Sequence, residues 1–378
     1  MVDLKGNPFY LKDEQIAWVN RTLENLTLDE KVGQLFCPIG MSTDEKALFD
    51  LAANKKVGGL LFRPGKGEEV QQAHRYLQQQ AKVPMLIAAN LEAGGTGSAI
   101  DGTRIGNPML LAAGQDAEFG HHLGEVCAKE GSAVGVNWAF APVVDIDYNF
   151  HNPITNVRTY GSDPETVLNY AKGFVEAVQQ NGVAASIKHF PGDGIDFRDQ
   201  HLVTTVNTLP LEEWRSTYGK VYSGLIEAGS LSVMIGHIAL PVVQKSEEDA
   251  FLPATLSPVI MQELLREELG FNGVITSDAT PMVGFCAAME RRLAVPTAIA
   301  AGCDIFLFNK DLDEDIRFMK EGIANGILTP ERIDEAVTRI LAMKAALKLP
   351  EKQADALLVP AKEELAVLQA EQHVQWAT

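Results

Sequence analysis

The sequence predicts an α/β protein built as a (β/α)8 barrel of the TIM type, and three observations carry that reading. Eight short β-rich apolar runs alternate with helical stretches along the chain. Most of the runs are continuously apolar, as strands buried on both faces should be. Polar residues cluster directly after them, at the end where a barrel of this kind carries its chemistry. Eight alternations favour a barrel over an open doubly wound sheet, which is the alternative topology. The length of 378 residues fits one large barrel of about 250–350 residues or two domains of roughly 100–200 each.

The expected strands are Val32–Cys37, Val57–Phe62, Pro84–Ala89, Val134–Val144, Val183–Ile187, Leu231–Gly236, Gly273–Ser277 and Asp304–Phe308. Helices are expected over Asp44–Asn54, Gly67–Gln80, Ala117–Ala133, Pro164–Asn181, Pro210–Ala228, Ser257–Leu269, Ala287–Ala301 and Asp311–Ala324. The helix after strand four is clearly punctuated. Ser162-Asp163-Pro164-Glu165 places a cap before a proline in the first turn, and Asn181-Gly182 marks the stop. Pro330–Lys348 reads as one amphipathic closing helix, so residues 1–348 form the expected catalytic unit. Leu349-Pro350-Glu351-Lys352 reads as a linker and Ala361–Trp376 as a weak helix. The 349–378 tail is then a surface for a C-terminal domain or a dimer contact.

Composition narrows the function. The chain is 46% hydrophobic and 22% charged, too apolar for disorder. Its net charge of −18 disfavours nucleic acid and anionic membranes, which require basic patches. The N-terminus carries Asp3 and Lys5 with no apolar segment, so no secretory signal is visible and the chain reads as cytoplasmic. The longest apolar run, Leu293–Cys303, contains Pro296 and is well short of the ~20 residues of a membrane span. Cys37, Cys127, Cys286 and Cys303 are scattered without CxxC spacing, so neither a disulfide framework nor a zinc site is expected. His121-His122 face different sides of a helix, and Gly94-Gly95-Thr96-Gly97 lacks a Lys-Ser/Thr ending. No metal and no cofactor are expected.

The ends of six successive strands carry the informative residues. They are Asn90 and Glu92; Asp145, Asp147 and then Arg158; Lys188 and His189; His237; Asp278; and Asn309-Lys310. A single such group is explained by solvation or capping, whereas the repeated enrichment of one face points to a site. Asp278 follows a buried strand and would project into the barrel mouth. Among Lys188, His189 and Arg158 it should stay ionised, which suits a nucleophile or an oxocarbenium stabiliser. A helix N-cap is the plainer role for it. Asp199-Gln200-His201, in a loop with Pro191, Gly192 and Gly194, puts a carboxylate beside an imidazole, as a general acid/base would need.

Lys188-His-Phe-Pro-Gly-Asp-Gly194, Asp199-x-His201 and Ile275-Thr-Ser-Asp278 together resemble glycoside hydrolase family 3, as does Ala300–Leu307. The resemblance runs in order from Leu28 to Lys348, and the Asp-x-His loop is similar to the β-N-acetylglucosaminidase branch. It implies Asp278 as the nucleophile of a retaining hydrolase and His201 with Asp199 as the acid/base on a mobile loop. Lys188, His189 and Arg158 are then binders of sugar hydroxyls, joined by Asn90 or Glu92 and by the strand-end groups Asp145 and His237. The implied substrate is a small β-linked oligosaccharide from peptidoglycan or chitin. A β-glucosidase or a phosphorylase of the same family is the nearest alternative. The sequence departs from the family pattern twice. Asp193 stands where the pattern has a second His, and Asn90-Leu-Glu92-Ala-Gly94-Gly95-Thr96 replaces Asp-Gln-Glu-Gly-Gly-Arg-Val. The tail resembles the linker that leads into an α/β sandwich in two-domain members. Two other classes fit the residues, namely a Schiff-base aldolase on Lys188 and a sugar-binding barrel without turnover.

Overall fold

The protein is described by a computed structural model that covers residues 2–361. Eleven strands are formed among these residues: β1 Phe36–Cys37, β2 Ile39–Gly40, β3 Gly59–Phe62, β4 Leu86–Ala89, β5 Trp138–Ala139, β6 Ala184–Phe190, β7 Thr205–Val206, β8 Ser232–Ile235, β9 Ile238–Ala239, β10 Val274–Ser277 and β11 Phe306–Leu307. Seven of them form one parallel sheet in the order β10-β8-β6-β5-β4-β3-β2, and β1 pairs in parallel with β11. The molecule is thus an α/β fold whose curled parallel sheet is surrounded by helices. β3, β4, β6, β8 and β10 are buried along their whole length, as continuously apolar runs between two covering layers should be.

Local signals place most helices where they were expected. Asp163 accepts the Thr166 amide at the start of Pro164–Gln180, and Asn181 ends that helix ahead of Gly182 at φ +77°. Asp311 caps Leu312–Ala324 in the same way. No helix among the described residues is long and apolar enough to cross a membrane.

Several expectations are corrected. Val32–Gln34 belong to the helix Leu28–Gln34, because Thr27 and Glu30 form a reciprocal capping box that claims the apolar run. The first strand is therefore Phe36–Cys37 alone. Val134–Val144 is not one strand but only Trp138–Ala139, since Gly135 turns at φ +89° and Pro142 has no amide to donate. The stretch beyond still lies on β6, through Ser186 N–H to Ala141 O (2.9 Å) and Val144 N–H to Lys188 O (2.8 Å). Asp50–Asn54, Arg215–Gly219 and Val259–Glu268 carry π-type bonding, as in Leu269 N–H to Leu264 O (3.0 Å). The helix expected over Ala287–Ala301 is Arg291–Ala301, preceded by the short helix Val283–Cys286. Leu349–Ala354 is helical with Leu349 buried, where a linker was expected. The helix Asp13–Asn25 was not expected, because its apolar residues are scattered among polar ones. The expected helix Ala361–Trp376 lies outside the described residues but for its first.

Two features aim the strands at the site. Behind β6, Phe190 packs edge-on against Trp214 (6.0 Å) and Tyr222 (4.8 Å), and Trp214 Nε1–H donates to Pro191 O (2.8 Å). Such aromatic pairs contribute ~0.5–1.5 kcal/mol each beyond their burial. Near the start of β10, the buried Asp304 bridges Arg266 (2.6 Å) and Arg332 (2.7 Å) and accepts the Ile275 amide (2.9 Å). Asp278 directly follows the far end of β10.

Candidate active site

Asp278 leaves β10 with its amide bound to Ile235 O (2.8 Å), which continues the ladder to β8. Its Oδ1 accepts the Ala279 amide (2.7 Å), and its Oδ2 lies 3.9 Å from His189 Nε2. Burial pushes the carboxyl toward its neutral form. His189, His237, the Ala279 amide and Lys188 together outweigh that effect and hold it below the ordinary carboxylate range. A largely buried carboxylate kept ionised is what a nucleophile requires.

β6 supplies Lys188 and His189, where its pairing with β8 shifts register between Lys188 and Phe190. His189 is gripped by the fully buried Asp145, with Nδ1 2.7 Å from Oδ2 and the His189 amide donating to Oδ1 (3.1 Å). With the Nδ1 proton directed at Asp145, Nε2 is turned toward Asp278. Lys188 Nζ donates to Glu92 Oε1 (2.6 Å), and Arg158 holds the same carboxylate in two-pronged fashion through Nε (2.9 Å) and Nη2 (2.9 Å). Burial raises the Glu92 pKa, but the two cations overcome it and the group lies far below its ordinary value. The Lys188 pKa falls, because burial and the nearby Arg158 outweigh the attraction of Glu92.

The loop after β6 supplies the fourth part. Asp199 Oδ1 accepts the His201 amide (2.8 Å) and lies 2.7 Å from His201 Nδ1. The loop is tied down by Val283 N–H to His201 O (3.0 Å) and by Val206 N–H to Asp196 Oδ2 (2.9 Å). His201 is more than half exposed.

These elements enclose one cavity of about 480 Å³ lined by Asn90, Glu92, Arg158, Lys188, His189, His201 and Asp278. Asp145 and Asp199 stand behind the two histidines they hold. His237 is not brought to the cavity wall. It is fully buried, with Nδ1 against Thr255 Oγ1 (3.0 Å) and Nε2 against Ala279 O (3.0 Å), so both ring nitrogens are spent on protein. Burial lowers its pKa. Arg63 and Gln200 line the cavity and were missed, as were the apolar walls Phe140, Met234, Met282 and Phe308. Arg63 directly follows β3, so the same inspection of strand ends would have found it. Gln200 lies inside the Asp-x-His motif. Among the described residues no group of three or more His, Cys, Asp or Glu is arranged to hold a metal ion.

Residues 27–343 match the model of the glycosyl hydrolase family 3 N-terminal domain. A β-N-acetylglucosaminidase/β-glucosidase of Cellulomonas fimi is 48% identical over 354 residues, covering 92% of this chain and 63% of the relative. A β-hexosaminidase of Hydrogenovibrio crunogenus is 32% identical over 65% of this chain and 68% of its own length. Among solved structures, a β-glucoside phosphorylase, BglX, bound to 2FGlc superposes with a TM-score of 0.94 at 45% identity, covering 99% of this chain and 68% of that one. A family 3 β-N-acetylglucosaminidase of Paenibacillus sp. gives 0.79 at 28% identity, over 91% and 68%. The chain spans about 63% of the length of the Cellulomonas fimi relative. The cavity at the strand ends, with its Asp278 carboxylate and its aspartate–histidine loop, is thus found in a chain that belongs to glycosyl hydrolase family 3.

Proposed function

We propose that the protein is a retaining exo-β-N-acetylglucosaminidase that releases terminal β-linked N-acetylglucosamine from peptidoglycan- or chitin-derived oligosaccharides. The observation that carries this reading is the Asp278 carboxylate, 3.9 Å from His189 Nε2, in the same cavity as a His201 imidazole backed by Asp199. In the first step Asp278 attacks the anomeric carbon, and His201 gives its proton to the departing glycosidic oxygen. In the second step His201 takes a proton from water, which attacks the same carbon and frees Asp278. Glu92, Lys188 and Arg158 hold sugar hydroxyls, and Asn90 lies beside them. Residues 1–348 act as the catalytic unit, and we read its curled sheet as a (β/α)8 barrel. The pairing of β1 with β11, the Thr276–Ile305 bridge and Gly58 N–H to Phe36 O (3.0 Å) support closure.

A second reading is transfer of the glycosyl group to phosphate, or action on β-glucosides. It is favoured by Arg63, which has no ion-pair partner among the described residues. Lys188 and Arg158 also share the single carboxylate of Glu92. A neutral imidazole acid/base repels an anionic acceptor less than a carboxylate would. Turnover of 4-nitrophenyl β-N-acetylglucosaminide and β-glucoside, with and without inorganic phosphate, separates these readings. Faster turnover of the glucoside overturns the N-acetylglucosamine assignment. Release of sugar 1-phosphate at the expense of free sugar overturns hydrolysis.

A further inference from the structure

The family pattern places a histidine where this chain has Asp193, and that carboxyl is buried and does not line the cavity. Its bonds run in two directions. The Asp193 amide donates to Asp145 Oδ1 (2.8 Å), the same oxygen that receives the His189 amide. Its own Oδ1 accepts Asn152 Nδ2–H (2.8 Å) and the Gly194 amide (2.7 Å), while Oδ2 accepts Gln200 Nε2–H (3.2 Å). Gln200 is buried between Asp199 and His201. Its orientation is locked, because its Oε1 accepts the His237 amide (2.9 Å) while its Nε2 donates to Asp193. The Gln200 carbonyl also receives the Gly284 amide (3.2 Å).

We propose that Asp193 is a positioning residue that ties the acid/base loop to the Asp145–His189 side of the site through the Gln200 side-chain amide. This rests on His201 being the acid/base. The bond demands an acceptor at Asp193 Oδ2. Asp193 is faced by Asp145, His189, Tyr218 and Tyr222, and burial together with Asp145 pushes its carboxyl up to about 6 against the pull of His189. Below that pH the group takes a proton, and a hydroxyl at Oδ2 no longer offers its lone pairs alone to Gln200.

The test is a polarity exchange. Asp193→Asn turns a donor toward the Gln200 amide, and Gln200→Glu sets two carboxylates against each other. The double variant D193N/Q200E restores a donor–acceptor pair and leaves an acceptor for the His237 amide. Positioned general acids contribute ~10²–10⁴-fold, so Asp193→Asn should cost about 30–100-fold in kcat/KM on a phenyl β-N-acetylglucosaminide and less than about 5-fold on its 2,4-dinitrophenyl counterpart. The double variant should return to within about 5-fold of wild type on both, since the restored pair returns the acid to its position. Equal losses on the two substrates, or a double variant no better than the worse single, overturn the proposal. His201→Ala is measured beside them. If it too loses equally on both substrates, the assignment of His201 has failed instead. Where the singles do not fold, amide exchange in residues 194–203 of wild type decides. Protection that drops as pH falls through about 6 supports the tie, and unchanged protection between pH 7.5 and 5 overturns it.

Discussion

Two aspartate–histidine pairs meet this cavity with the same 2.7 Å contact and opposite surroundings. In Asp145–His189 the side chains are 0% and 5% exposed, whereas in Asp199–His201 they are 28% and 56% exposed. The first pair hangs on a long central strand, where Asp145 holds the His189 ring and Phe190 beside it is backed by Trp214 and Tyr222. The second hangs on a loop held by a few backbone and side-chain hydrogen bonds. Burial allows one imidazole to be aimed permanently at Asp278. In the proposed mechanism, exposure allows the other to meet a leaving group and then a water molecule. On that reading the same chemical pair serves orientation where it is buried and proton transfer where it is reachable.

The comparison is sharpened most by the residue that the buried pair faces. Asp278→Ala should lower kcat about 10⁴-fold or more on aryl β-N-acetylglucosaminides, as loss of a covalent nucleophile does. Residual activity of a few per cent would remove Asp278 from that role. The two aspartates should then part company in stability. Asp145→Ala leaves His189 and two amides without their acceptor, and breaking a buried pair costs about 3–5 kcal/mol. Asp199→Ala removes a half-exposed pair worth about 0–1 kcal/mol. Urea denaturation of both variants checks this, and equal losses would break the contrast.

In activity the exposed pair should discriminate by leaving group. His201→Ala should cost about 10²-fold on poor leaving groups and far less on activated ones. Asp199→Ala should give the same pattern at roughly a tenth of the size, because the imidazole stays but is no longer held. The smallest effect is a pH dependence of the charged cluster beside them. Glu92 is held below its ordinary value of 4.5, so its contribution to stability is complete above that pH and is lost as pH falls through the lowered value. The difference in melting temperature between wild type and Glu92→Gln should therefore be full at neutral pH and shrink only in strong acid. A gap that already closes near pH 6 would contradict the assigned ion pairs.

Much of the site was legible because its residues abut apolar runs. Lys188 and His189 lie near the end of one buried strand and Asp278 follows another, and strand ends are read from hydrophobicity alone. Glu92 and Arg158 were both named, but their joint grip with Lys188 joins three separate segments of the chain, and no local pattern encodes such a contact. His237 looked equivalent to its neighbours in the strand-end series. Its ring instead turns behind the cavity to Thr255 and Ala279, because a side chain's direction depends on what packs against it. The same limit explains the π-type turns, which answer to packing and backbone bonds more than to composition, whereas the shortened fourth strand answers to Gly135 and Pro142.

The order of apolar runs and helical stretches was sufficient for an α/β architecture with its chemistry at the strand ends, since burial on two faces leaves a plain signature in one dimension. The motif around Asp199 and His201 was likewise local, as a contact two residues apart must be. What required the folded chain was the sorting of similar groups into different roles. Asp145, Asp193, Asp199 and Asp278 are the same side chain in sequence. Burial, neighbouring charge and the direction of each amide separate them, and these arise only when distant segments are brought within a few ångströms.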